Sequence, residues 1–141
     1  MSKPKIRVTD ATCPTKDSES MTNPQDVPLP AFTEHRIKRD GGSVYVRDFA
    51  GNGPAFVVLH GFPDNSHIYD DLIPHLVSGG RRTVAIDFLG FGASDKPVGA
   101  PYSFAQQLGD VEAVVEGLAL DKIIPVGHDA GGPAEIGRAH V

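Results

Sequence analysis

Hydrophobic and polar positions fall into a regular order only from Phe32 onward. Residues 1–30 are rich in Lys, Asp, Ser, Thr and Pro, show no sustained periodicity and end in Val27-Pro28-Leu29-Pro30, which reads as a disordered tail. Met21 offers an alternative start inside it. Phe32 to Lys38 and Ser43 to Phe49 are short alternating runs around Asp40-Gly41-Gly42, and this predicts an antiparallel hairpin. Ala55 to His60 is an almost continuous apolar run, as expected of a strand with helices on both faces. From His67 to Val77, the residues Ile68, Leu72, Ile73, Leu76 and Val77 make one amphipathic helical face. Ser66 is its expected cap, Pro74 is expected to kink it or shorten its first segment, and Gly79-Gly80 to end it. Thr83 to Phe88 is a second buried strand. Ser103 and Gln106 form a capping-box signature ahead of Phe104, Leu108, Val111, Val115 and Leu118, whose spacing alternates between four and three. Lys122 to Val126 is a third strand.

Strand, helix, strand, helix, strand predicts two crossovers, hence an α/β fold whose sheet is mostly parallel with an N-terminal antiparallel hairpin on one edge. A length of 141 residues suits one domain. The net charge of −5 with no basic patch argues against a nucleic-acid partner, and no apolar run approaches membrane-spanning length. Met1-Ser2-Lys3-Pro4-Lys5 is not followed by an apolar segment, so no secretory signal is read. Cys13 is the single cysteine, which fits a reducing compartment and makes the cytoplasm the expected location. No His/Cys/Asp/Glu spacing suggests a metal.

The chemistry concentrates in Ile124-Pro125-Val126-Gly127-His128-Asp129-Ala130-Gly131-Gly132. A β-branched run enters small-x-Asp-x-small, a spacing that suits a sharp strand-to-helix turn holding its central residue at positive φ above the sheet. Serine occupies that tip in the nucleophile elbow of α/β-hydrolases; here the tip is Asp129. The plainer reading makes Asp129 a helix N-cap, but the flanking glycines favour the elbow. His60 and His128 flank the predicted site and are read as structural, while His35, His67 and His75 are read as solvated. Asp87 is read as organising a loop, and Asp95 and Lys96 as surface or loop contacts. Gly90-Phe91-Gly92 lacks the lysine and the helix start of a phosphate cradle.

Three motifs in order resemble the α/β-hydrolase superfamily across residues 32 to 134. They are His60-Gly61-Phe62-Pro63, Asp87-Phe88-Leu89-Gly90-Phe91-Gly92-Ala93-Ser94-Asp95-Lys96-Pro97, and Gly127-His128-Asp129-Ala130-Gly131. An aspartate at the tip resembles the branch of epoxide hydrolases, haloalkane dehalogenases and fluoroacetate dehalogenases. The resemblance implies an Asp129 nucleophile, an alkyl-enzyme ester, a small electrophilic substrate and no cofactor. It also implies an oxyanion hole from the backbone N–H groups of Phe62 and Ala130. Haloalkane dehalogenases usually carry Asn and Trp where Phe62 and Ala130 stand, and fluoroacetate dehalogenases an Arg in place of Ala130. Epoxide hydrolases commonly share His-Gly-Phe-Pro, although they too usually carry Trp after the Asp. An epoxide hydrolase-like activity is therefore expected, with a haloalkane dehalogenase-like one as the alternative. A non-catalytic binding protein on the same sheet is the alternative of a different class.

The family continues past the elbow into a cap, further strands, an acid and a histidine. This chain is accordingly read as an N-terminal fragment, inactive in turnover by itself, with Lys122 to Val126 as an exposed apolar edge. Ile136-Gly137-Arg138-Ala139-His140-Val141 can be written ATC GGA AGA GCA CAC GTC, which resembles sequencing-adapter read-through. The expected organisation is thus a tail over 1–30, part of a hydrolase domain over 31–135, and a non-native ending over 136–141, in which Arg138 and His140 have no role.

Overall fold

The structure, a computed structural model, describes residues 27–134. Most of the expected tail, with Cys13 and Met21, and the expected non-native ending lie outside the described residues. Five strands form one sheet: β1 (Thr33–Arg39), β2 (Gly42–Phe49), β3 (Asn52–Leu59), β4 (Arg81–Asp87) and β5 (Ile123–Gly127). Their spatial order is β1-β2-β4-β3-β5. β1 and β2 pair antiparallel, as do β2 and β4, whereas β3 pairs parallel with both β4 and β5. The hairpin and the parallel strands match the sequence pattern. The turn closes at Gly41, whose φ of 82° suits glycine.

Alternation along the strands sorts the core into two layers. Val44, Val46, Val57, Leu59, Val84 and Ile86 point to one face and pack with Val111, Val114 and Val115 of α2 (Phe104–Gly117). Phe49, Val58 and Ala85 point to the other and pack with Tyr69 and with Ile73 of α1 (Ile73–Ser78). Each fully buried Val, Leu, Ile or Phe side chain among these contributes about 1.5–3 kcal/mol. Leu29, within the expected tail, also packs on this second layer.

Two expectations are corrected. The helix read over His67 to Val77 is divided into a 3₁₀ turn, Ser66–Tyr69, and α1. The break falls before Pro74, which occupies the first turn of α1, where its missing N–H costs nothing. Ser66 is not the cap either: the Asn65 side chain accepts from the His67 N–H at 2.9 Å. Ser66 turns inward instead, donating its N–H to Asp87 Oδ1 (2.7 Å) and accepting from the buried Arg47 (3.2 Å).

At α2, Ser103 Oγ accepts from the Gln106 N–H as expected (3.3 Å). Gln106 does not complete the box; its side chain accepts from the Tyr102 N–H and donates to the Leu89 carbonyl. Asp110 ties three elements together. It is fully buried, accepts from Arg39 Nε of β1 at 2.8 Å and from the Leu89 N–H at 2.9 Å.

Candidate active site

The chain leaves β3 toward the α1 face and leaves β5 toward the α2 face, where Ala134 joins the core. Loops after adjacent parallel strands that depart to opposite faces open a crevice at the carboxyl ends of those strands. Phe62 and Asp129 meet there.

Asp129 has φ 51°, the only positive value among non-glycine residues of this turn, and its side chain is exposed. The left-handed conformation costs an L-residue about 1–2 kcal/mol, and the turn offsets it with hydrogen bonds. The His128 N–H donates to the Leu59 carbonyl (3.2 Å), the Gly131 N–H to His128 (2.9 Å) and the Gly132 N–H to Asp129 (3.0 Å). Gly131 lies so close to the end of β3 that an added Cβ would meet the Leu59 carbonyl oxygen, so the small residue expected there is required. The Phe62 N–H donates to Asp129 Oδ2 at 3.1 Å. The N–H of Ala130, followed by that of Phe62, holds the Asp129 carboxyl below the usual carboxylate range. Asp129, Phe62 and Ala130 are thus in one place, with both backbone N–H groups on the carboxylate.

A second layer fixes the loop that carries Phe62. Asp87, at the end of β4, accepts from the Ser66 N–H (2.7 Å) and the Ala93 N–H (2.9 Å), bridging the two loops beside the crevice. This is the loop-organising role read from the sequence. His60 is buried; its Nδ1 lies 2.8 Å from the Gly61 carbonyl, and its Nε2 accepts the Phe88 N–H at 3.1 Å. Both ring nitrogens are engaged and burial lowers its pKa, so His60 is structural, as read. His128 is exposed beside Asp129. His35 and His67 are not simply solvated: they lie 3.1 Å from Asp48 and 2.7 Å from Asp70. Asp95 accepts from the Ser43 N–H and hydroxyl, and Lys96 donates to the carbonyls of Gly92 and Ser94, both as loop contacts. Among the described residues, no group of three or more His, Cys, Asp or Glu could hold a metal.

Beside Asp129 opens a cavity of about 330 Å³ that the sequence reading missed, walled by Phe62, Phe91, Tyr102 and Phe104 and bordered by Ala130. Phe62 meets Phe91 edge-on, with ring centroids 6.1 Å apart.

Residues 54–134 match the family described as the alpha/beta hydrolase fold, and the chain belongs to it. It is 41% identical over 86 residues to a fluoroacetate dehalogenase of Burkholderia sp., covering 58% of this chain and 28% of that protein. It is 40% identical over 82 residues to epoxide hydrolase B of Mycobacterium tuberculosis, covering 57% of this chain and 23% of the relative. Among solved structures, an epoxide hydrolase from an endophytic Streptomyces superposes with a TM-score of 0.70 and 31% identity, over 78% of this chain and 33% of that one. The chain therefore spans only about a quarter of the length of these curated relatives.

Proposed function

We propose that this chain carries the nucleophile of an α/β-hydrolase that opens epoxides through an alkyl-ester intermediate, with Asp129 as the attacking group. One observation carries the reading: the Asp129 carboxylate stands at positive φ over the crevice with Oδ2 on the Phe62 N–H. That contact divides the labour between the oxygens. Oδ1 attacks a ring carbon, the carbon–oxygen bond breaks, and the alkoxide takes a proton from an acid outside this chain. Water then adds to Cγ while a base, also outside this chain, takes its proton. Negative charge collects on Oδ2, where the N–H groups of Phe62 and Ala130 stabilise it; a single donor of this kind is worth about 10²–10³-fold in rate. Collapse expels Oδ1 with the product diol and restores the carboxylate. No cofactor enters. A haloalkane would release a halide that the side chains of Phe62 and Ala130 cannot bind, and this favours the epoxide.

With His60 sealed in the core, the reading further holds that residues 1–141 alone do not turn over. The test uses the product of the whole reading frame with styrene oxide in a single turnover in ¹⁸O-water. The label is expected in the Asp129 peptide and absent from the first diol, and Asp129→Asn is expected to lose at least about 10³-fold in turnover. Label found directly in the diol, or an active Asn variant, would overturn the nucleophile. A protein inert to epoxides and haloalkanes alike would instead support the non-catalytic alternative.

A further inference from the structure

The aromatic cavity beside Ala130 is lined by one buried polar side chain whose oxygen finds no partner among the described residues. Gln107, in the first turns of α2, lines the cavity and is only 9% exposed, yet its Oε1 has no hydrogen-bond partner among the described residues. A buried amide oxygen left unpaired is costly, and groups in that state call for an external partner. The other polar groups of the wall are already engaged. Tyr102 donates its hydroxyl to the Pro97 carbonyl at 2.7 Å, so it presents only its ring. Ser103 Oγ already accepts from the Gln106 N–H at the start of α2. Phe62, Phe91 and Phe104 offer apolar faces, and Phe62 and Phe104 are 70% and 57% exposed, surface that a ligand would cover. Such a pocket, mostly aromatic with a single oriented polar group, is built for small-molecule selection.

We infer that Gln107 is a specificity-determining residue, whose amide receives a hydroxyl on an aromatic arm of the substrate. A hydroxyl fits because it both donates, to Oε1, and accepts, from the amide N–H₂. This rests on the reading of Asp129 as the reaction centre, since it is Phe62 and Ala130 that join the cavity to that carboxylate. Gln107 is not a catalytic residue.

The experiment measures binding, so that it does not depend on the chemistry at Asp129. The product of the whole reading frame, as wild type, Gln107→Leu and Gln107→Glu, is titrated with 4-ethylphenol and with 4-ethyltoluene, which differ by a hydroxyl against a methyl group. Wild type is expected to bind the phenol at least about tenfold tighter, because a site made for a hydroxyl penalises its loss strongly. Gln107→Leu is expected to erase or reverse that ratio without lowering Tm, since it removes an unpaired acceptor. Gln107→Glu, which keeps an acceptor, is expected to retain the preference. Equal binding of both probes by wild type, no binding of either, or an unchanged ratio in Gln107→Leu would each overturn the inference, as would a fall in Tm with the preference intact, the mark of a purely structural residue. Discrimination without epoxide turnover would leave Gln107 standing and remove the Asp129 reading; turnover without discrimination would do the reverse.

Discussion

At the scale of single residues, Gly61 and His60 hold the crevice in shape from beneath. A methyl group on Gly61 would meet Asp129 Cβ at 2.6 Å and Oδ2 at 2.8 Å, closer than real Cβ contacts come. Gly61→Ala is therefore expected to push the carboxylate off the Phe62 N–H. Displacement of about 1 Å at a reacting group costs about 10²-fold, so kcat should fall by that order while the melting temperature changes little; steady-state kinetics beside a thermal melt checks it. His60 sets a pH limit. Burial lowers its pKa below the ordinary 6.5, because the charged ring is poorly solvated and Nε2 must stay bare to accept the Phe88 N–H. The unfolded chain thus binds the proton first on acidification. The contribution of His60 is full above pH 6.5 and declines as pH falls from there toward the folded-state pKa. Chemical denaturation across pH 5 to 7.5, with the His60 ring followed by NMR, should show stability falling below pH 6.5 while the ring of the folded protein is still neutral, the ring gaining its proton only at the lower folded-state pKa.

Among the elements, α2 depends on Asp110 more than its length suggests. The carboxylate, itself fully buried, receives the partly exposed Arg39 from β1 and the Leu89 N–H from the loop after β4. Burial pushes its pKa up against those partners. Asp110→Ala would leave a buried N–H unpaired and Arg39 without its carboxylate, a change of the kind that costs about 1–3 kcal/mol, measurable as a lower denaturant midpoint with the slope unchanged. The hairpin and α2 were legible because each bears a period set by the core, and the parallel strands because they are near-continuous apolar runs. The division before α1 was not. Ser66 reads locally as a cap, but Arg47 and Asp87, distant in sequence, draw it inward, and Asn65 takes its place. Asp129 was marked by its motif spacing, Phe62 and Ala130 by what the family resemblance implies, and the structure brings the three together. Gln107 was missed because the expected stripe ran through Phe104 and Leu108, whereas the buried face runs through Gln107, Val111 and Val114. A polar residue in register with that stripe was the available signal.

For the molecule as a whole, the arrangement of strands matters more than their number. Among the described residues, β3 and β4 lie inside the sheet with neighbours on both sides, while β5 has a partner on one side only and leaves Ile124 37% exposed. The crevice thus lies where an interior strand meets the strand at the margin, and half of it is carried by each. This has a consequence in time. As the chain leaves the ribosome, β1 to β4 and both helices are complete by residue 117, before any of β5 exists. The four strands and both helices that precede β5 are therefore in the chain before the segment that completes the site. Asp129 reaches the Phe62 N–H only when β5 docks along β3. Among the described elements the contact between Asp129 and Phe62 is thus completed last, and a chain halted before β5 has its platform but no carboxylate in the crevice.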